Sequence, residues 1–121
     1  KRIVRALENP LVHCLAHPTG RLLGARAPYE VDLDEVMEAA KKYGKVLEIN
    51  ATLERLDLDD VHCKKAKEMG IRMAIGTDSH HPDQLWMISL GVGVARRGWL
   101  ETGDVLNATS LKETLKWCQR K

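Results

Sequence analysis

The chain has 121 residues, 19 Lys and Arg against 17 Asp and Glu, and a formal net charge of +2. With 44% hydrophobic and 30% charged residues, it suits one domain with a buried core, and is neither a disordered tail nor a histone-like polycation. No apolar run approaches the ~20 residues a membrane helix needs, and nothing at the start reads as a signal peptide. Three dispersed cysteines, Cys14, Cys63 and Cys118, lack any C-x-x-C spacing. They suit a reducing, cytoplasmic setting rather than a disulfide framework or a zinc ribbon. Lys1 rather than Met opens the sequence, so a piece of a longer chain is expected.

In chain order, Leu11 to Ala16 reads as a buried strand ended by His17-Pro18-Thr19-Gly20. A loop runs to about Val31. Asp32 with Glu35 three residues on is a capping-box pattern, and Leu33, Val36, Met37 and Ala40 follow at helical spacing. Gly44 suits the position just past that helix. Lys45 to Asn50 reads as the second strand, and about Asp59 to Met69 as a helix closed by Gly70. Ile71 to Gly76 is the third strand, leaving into Thr77-Asp78-Ser79-His80. Pro82 opens a helix expected through Leu90. Gly91 to Gly103, with Arg96-Arg97-Gly98-Trp99 inside it, reads as a glycine-rich loop holding at most one short strand. A last helix starts at Ser110, with Glu113 in capping register and Leu111, Leu115 and Cys118 on one face.

Strands alternating with helices of about ten residues indicate βαβ units and an α/β fold on a parallel sheet. In such folds the working residues gather at the carboxyl ends of the strands. Those ends hold His17, then Glu48 and Asn50, then Asp78 and His80. Imidazole and carboxylate together suit Zn²⁺, Mn²⁺ or Fe²⁺ rather than Ca²⁺. On an extended backbone Asp78 and His80 share a face, as do His13 and His17, and Glu48 and Asn50. If the strands are neighbours, His17 and the Asp78–His80 pair could meet at one ion. Glu48 lies between apolar residues and needs a partner; a site role and an ion pair with Arg21 or Arg72 are both open. Arg21, Arg96 and Arg97 are candidates for phosphate contact, the last two against an internal pairing with Glu101 or Asp104. Trp99 could stack on a base or lie in the core. His62 reads as a surface residue, His81 as a neighbour of the helix cap and His13 as interior filling.

His17-Pro18-Thr19-Gly20-Arg21-Leu22-Leu23-Gly24, Leu47-Glu48-Ile49-Asn50-Ala51 with Arg55-Leu56-Asp57-Leu58, Gly76-Thr77-Asp78-Ser79-His80 and Gly91-Val92-Gly93-Val94-Ala95-Arg96-Arg97-Gly98-Trp99 together resemble the PHP (polymerase and histidinol phosphatase) domain. The likeness is greatest to the branch found in bacterial and archaeal family X DNA polymerases, and it covers nearly the whole chain. The resemblance implies a distorted (β/α)₇ barrel, of which residues 1–121 would be the C-terminal portion, a single incomplete domain. It implies a cluster of up to three Mn²⁺ or Zn²⁺ ions at the strand ends and phosphoester hydrolysis, in this branch of the 3′→5′ exonuclease type on DNA. Carried over residue by residue, His17, Asp78 and His80 match the last three metal ligands. Glu48 matches no ligand position and becomes, with Asn50, a supporting residue. The family's early H-x-H motif and the His and Glu of the barrel's first half are absent, so at most one metal is expected. The partners implied are DNA, the N-terminal remainder of the barrel and a polymerase domain, with a dimer through the exposed barrel edge as a further option. A histidinol-phosphatase-like phosphomonoesterase and a non-catalytic module that positions a polymerase on DNA are the alternatives.

Overall fold

The computed structural model describes residues 1–119. Three parallel strands lie in the order β1-β2-β3: β1 is Cys14–Leu15, β2 is Val46–Asn50 and β3 is Met73–Gly76. The register pairs Cys14 with Val46, Glu48 with Ala74 and Asn50 with Gly76. Side chains alternate across the sheet. Leu47, Ile49 and Met73 enter the core with Met37, Ala40, Cys63, Ala66 and Ala95, while Glu48 and Asn50 fall on the other face. Each fully buried Leu or Ile contributes roughly 1.5–3 kcal/mol. Among the described residues the sheet is open and does not close into a barrel. Beyond β3, Val105 adds one parallel bridge to Met73. The Asn107 amide accepts from Ile75 N at 3.0 Å and donates to Ile75 O at 2.8 Å, taking the place of a neighbouring strand.

The helices are α1 Arg2–Glu8, α2 Leu33–Lys42, α3 Asp60–Glu68, α4 Ile88–Arg97 and α5 Leu111–Cys118. Asp32 accepts from Glu35 N, Asp59 from His62 N, and Ser110 and Glu113 form the expected box. Gly44 and Gly70 stand at φ 62° and 77°. After each, the next N–H reaches back into the last turn, Lys45 N to Ala40 O and Ile71 N to Ala66 O, which closes the helix.

Two expectations are corrected, and two features are added. The first strand is only two residues long, because residues before Cys14 turn back: Val12 N bonds Asn9 O at 3.1 Å. Helix α1 was not anticipated, although Ile3, Val4 and Leu7 have helical spacing and Leu7 is fully buried. Residues 91–97 are helix, not loop: Pro82–Met87 is a 3₁₀ turn that runs straight into α4. The glycines that suggested a loop serve close packing instead. A Cβ on Gly91 would lie 2.5 Å from Ile75 Cγ2 and 2.9 Å from Ala51 Cβ; one on Gly98 would lie 2.7 Å from Cys63 Cβ. With Gly98 occupied in that contact, Trp99 takes the left-handed position at φ 59° and points outward, 73% exposed. Finally, the apolar face of α5 is largely open, with Leu111 and Leu115 exposed.

No helix among the described residues is long and apolar enough to cross a membrane. The three cysteines are free, Cys63 buried and Cys14 exposed.

Candidate functional site

The three strands end at different points, and the side chain of Glu48 spans the gap between them. Its Oε2 accepts the backbone N–H of His17 at 2.7 Å and the Asn50 amide at 3.4 Å. Its other oxygen lies against Gly76, where a Cβ would come within 2.7 Å. Glycine at the end of β3 is therefore what lets the carboxylate lie across the sheet. Asn50 continues the chain of contacts, donating from Nδ2 to Asp78 Oδ2 at 3.1 Å. Its Oδ1 accepts from Thr52 N and from the Thr52 hydroxyl, which fixes the amide's orientation. His17, Glu48, Asn50 and Asp78 are thus joined in one network across the strand ends. The alternative of an ion pair from Glu48 to Arg21 or Arg72 is not realised.

Two members have unusual backbone. His17 has φ 30° and Asp78 φ 52°. Left-handed geometry costs a non-glycine residue of order 1–3 kcal/mol and collects at functional positions. It also corrects the alternation argument for residues 78 and 80. Asp78 lies past the end of β3 in a turn, and His80 Nδ1 bonds the Asp78 carbonyl at 2.7 Å, leaving Nε2 as the outward nitrogen. His80 N is itself anchored by Gln84 Oε1 at 2.7 Å.

Two imidazoles and a carboxylate are donors of the right type for a divalent cation. As arranged, however, His17, Asp78 and His80 do not form a closed ligand set: among the described residues no group of three or more His, Cys, Asp or Glu is gathered to hold an ion.

The arginines separate into different roles. Arg21 donates from Nε to Arg55 O at 2.8 Å and from Nη2 to Leu56 O, so it braces two loops rather than facing the network. Arg97 bonds Asp60 Oδ2 at 2.9 Å, and that hydrogen bond holds Asp60 below the usual carboxylate range. The pairing expected with Glu101 or Asp104 is made by Lys67 instead. Arg96 is exposed on the last turn of α4. Sequence reasoning missed Arg55. Its Nε lies 3.8 Å from Asp78 Oδ2, with the side chain mostly covered. The available signals were its place five residues after β2, on the segment that returns beside Asn50, and its membership of the Arg55-Leu56-Asp57-Leu58 string. His62 is half-buried against Asp59, and His81 is the N-cap of the 3₁₀ turn. His13 bonds Cys118 O at 2.8 Å. It lines a groove of about 360 Å³ with Lys45 and Trp117, where the strands begin rather than where they end.

The chain is 48% identical over 120 residues, 99% of its length, to the DNA polymerase/3′-5′ exonuclease PolX of Bacillus subtilis. The chain belongs to the PHP family. It is also 33% identical over 129 residues to a probable phosphatase of Thermoanaerobacter sp. (strain X514), and 38% identical over 86 residues to one of Caldanaerobacter subterraneus subsp. tengcongensis. This PHP chain spans 21% of the Bacillus protein and 50% of the Thermoanaerobacter one. No protein-family model matches it.

Proposed function

We propose that this chain contributes the later strand ends of a PHP phosphoesterase site, within a protein that hydrolyses DNA 3′-end phosphodiesters in the 3′→5′ direction. The observation that supports it most is the Glu48–His17–Asn50–Asp78 network, with left-handed backbone at His17 and Asp78. It occurs in a chain nearly half identical to a protein named for that exonuclease activity. In this reading His17, Asp78 and His80 are partial ligands to one Mn²⁺ or Zn²⁺, and donors outside residues 1–121 complete the sphere. Such an ion, when bound, supplies a Lewis acid and lowers the pKa of water. The chain's own residues hold the donors in place. Glu48 fixes the His17 backbone, Asn50 orients the Asp78 carboxylate, and Arg55 stands where a guanidinium can take a phosphate oxygen beside Asp78. Arg96, exposed and without an ion pair among the described residues, is a more distant candidate for the DNA backbone. The open edge of β1 is where the remainder of the barrel, or a second copy, would add a strand.

The test uses the protein that carries this chain, with Asp78→Ala and Arg55→Ala variants. Mn²⁺ binding is measured by calorimetry, and hydrolysis on a 5′-labelled oligonucleotide and on a small phosphomonoester. Shortening from the 3′ end that needs Mn²⁺ and is lost in Asp78→Ala supports the reading. Undiminished shortening in Asp78→Ala refutes it. The probable phosphatases among the relatives favour a second reading, phosphomonoester hydrolysis, which predicts turnover of the small substrate with the oligonucleotide left intact.

A further inference from the structure

We infer that Asp57 is the positioning residue of this site, a buried carboxylate that locks the segment carrying His17 to the strand carrying Asn50. The inference deepens the functional reading above and rests on it for the chemistry. Asp57 is fully buried, and its carboxylate bonds only backbone. Oδ1 and Oδ2 accept from Thr19 N at 3.2 and 3.0 Å, and Oδ2 accepts from Gly20 N at 3.0 Å. A carboxylate removed from water without a cation is costly unless donors surround it. Successive N–H groups aimed at one point form an anion cradle. The turn after His17 presents two N–H donors to one point, and Asp57 supplies their acceptors from inside the chain.

The main chain of the same residue holds the other side. Asn50 N donates to Asp57 O at 2.6 Å, and Asp57 N to Asn50 O at 3.1 Å. Asn50 in turn carries Asp78 on its amide. One residue thus fastens the two candidate ligands to each other, by its side chain toward His17 and by its backbone toward Asp78. The surroundings reinforce it. Arg21 bonds the carbonyls of Arg55 and Leu56, just before Asp57, and Arg55 Nη1 returns a bond to Arg21 O at 3.3 Å. The Tyr29 hydroxyl donates to Pro18 O at 2.7 Å and Arg26 to Gly20 O. The Tyr29 ring leaves no room for a Cβ at Gly20. Asparagine at position 57 keeps the shape, but it offers one acceptor oxygen and turns an NH₂ toward an N–H donor.

The test compares the protein that carries this chain with its Asp57→Asn variant and with Ile71→Val, a core control just before β3 and away from the strand ends. Two-dimensional ¹H–¹⁵N spectra and Mn²⁺ titrations are recorded for each. In Asp57→Asn the amide signals of His17, Asn50 and Asp78 should move along with those of Thr19 and Gly20, and Mn²⁺ should bind about tenfold more weakly. The control should leave both unchanged. Shifts confined to residues 18–20 with unaltered Mn²⁺ affinity would overturn the assignment. If Asp57→Asn does not fold, native-state hydrogen exchange on the unmodified chain decides. Thr19, Gly20 and Asn50 should open together as one unit, and exchange of Thr19 and Gly20 at loop rates beside a protected Asn50 would refute the lock. If the protein that carries this chain binds no Mn²⁺ at all, the metal reading alone fails, and the spectra and exchange still judge Asp57.

Discussion

Two glycines on one helix should respond to alanine in opposite directions. Gly91 and Gly93 both lie inside α4, where alanine is intrinsically favoured by about 1 kcal/mol. At Gly93 a Cβ meets nothing within 4 Å, so Gly93→Ala should realise that gain. At Gly91 the same Cβ would lie 2.5 Å from Ile75 Cγ2 and 2.9 Å from Ala51 Cβ. Ile75 belongs to β3 and Ala51 directly follows β2, so neither neighbour can swing away and the helix must lift. Overpacking of this kind costs about 1–3 kcal/mol. After the propensity gain, Gly91→Ala should lose about 1 kcal/mol. For a domain of this length that is roughly a 4 °C fall in melting temperature, against a rise of similar size for Gly93→Ala. Thermal unfolding followed by circular dichroism, checked by urea titration, reads both. If both variants raise the melting temperature, α4 does not press on the sheet at Gly91 and the packing argument is wrong.

Gly76→Ala would push the Glu48 carboxylate off β3. Its expected signature is loss of the Glu48–His17 bond, seen as a shift of the His17 amide signal, with a stability loss of about 1 kcal/mol. Trp99→Gly relieves left-handed backbone at an exposed residue and should raise stability by about 1 kcal/mol, measured by urea titration; a decrease would mean the indole packs against something. Burial, with help from Asp59, Asp60 and Asp57, pushes the Cys63 thiol up to about 12 from 9.0. The unfolded thiol therefore loses its proton first, and stability present below pH 9 should fall as pH climbs toward 12. Cys14, pushed up to about 12 by desolvation and then by Glu48, adds a slope of the same sign, so denaturation at pH 8, 9.5 and 10.5 should show the decline and Cys63→Ala should lessen it without abolishing it.

Local signals carried much of the fold. Asp32 and Ser110 cap helices where their spacing indicated, and Asp59, read as the start of a helix, is its cap, because an N-cap needs only the next three residues. Gly44 and Gly70 end helices for an equally local reason. Alternation in β2 placed Glu48 and Asn50 on one face. The candidate ligands His17, Asp78 and His80 were legible as residue types following strands, and from the family likeness.

What lay beyond the sequence depended on contacts between distant segments. Gly91 and Gly98 look the same in sequence as loop glycines. Only their neighbours, Ile75 and Ala51 for one and Cys63 for the other, show that they let a helix approach closely. Arg21 looked free to bind phosphate until the carbonyls of Arg55 and Leu56 claimed it. Arg55 and Asp57 were legible as members of the Arg55-Leu56-Asp57-Leu58 string but were given no role, because a charged loop residue has no period that shows what it will meet. Their roles arise only when residues 52–58 fold back beside Asn50 and under the turn after His17. Amino-acid order determined which groups could bond at short range; which carboxylate would meet which N–H across thirty or more residues was decided by the packing that brought them together.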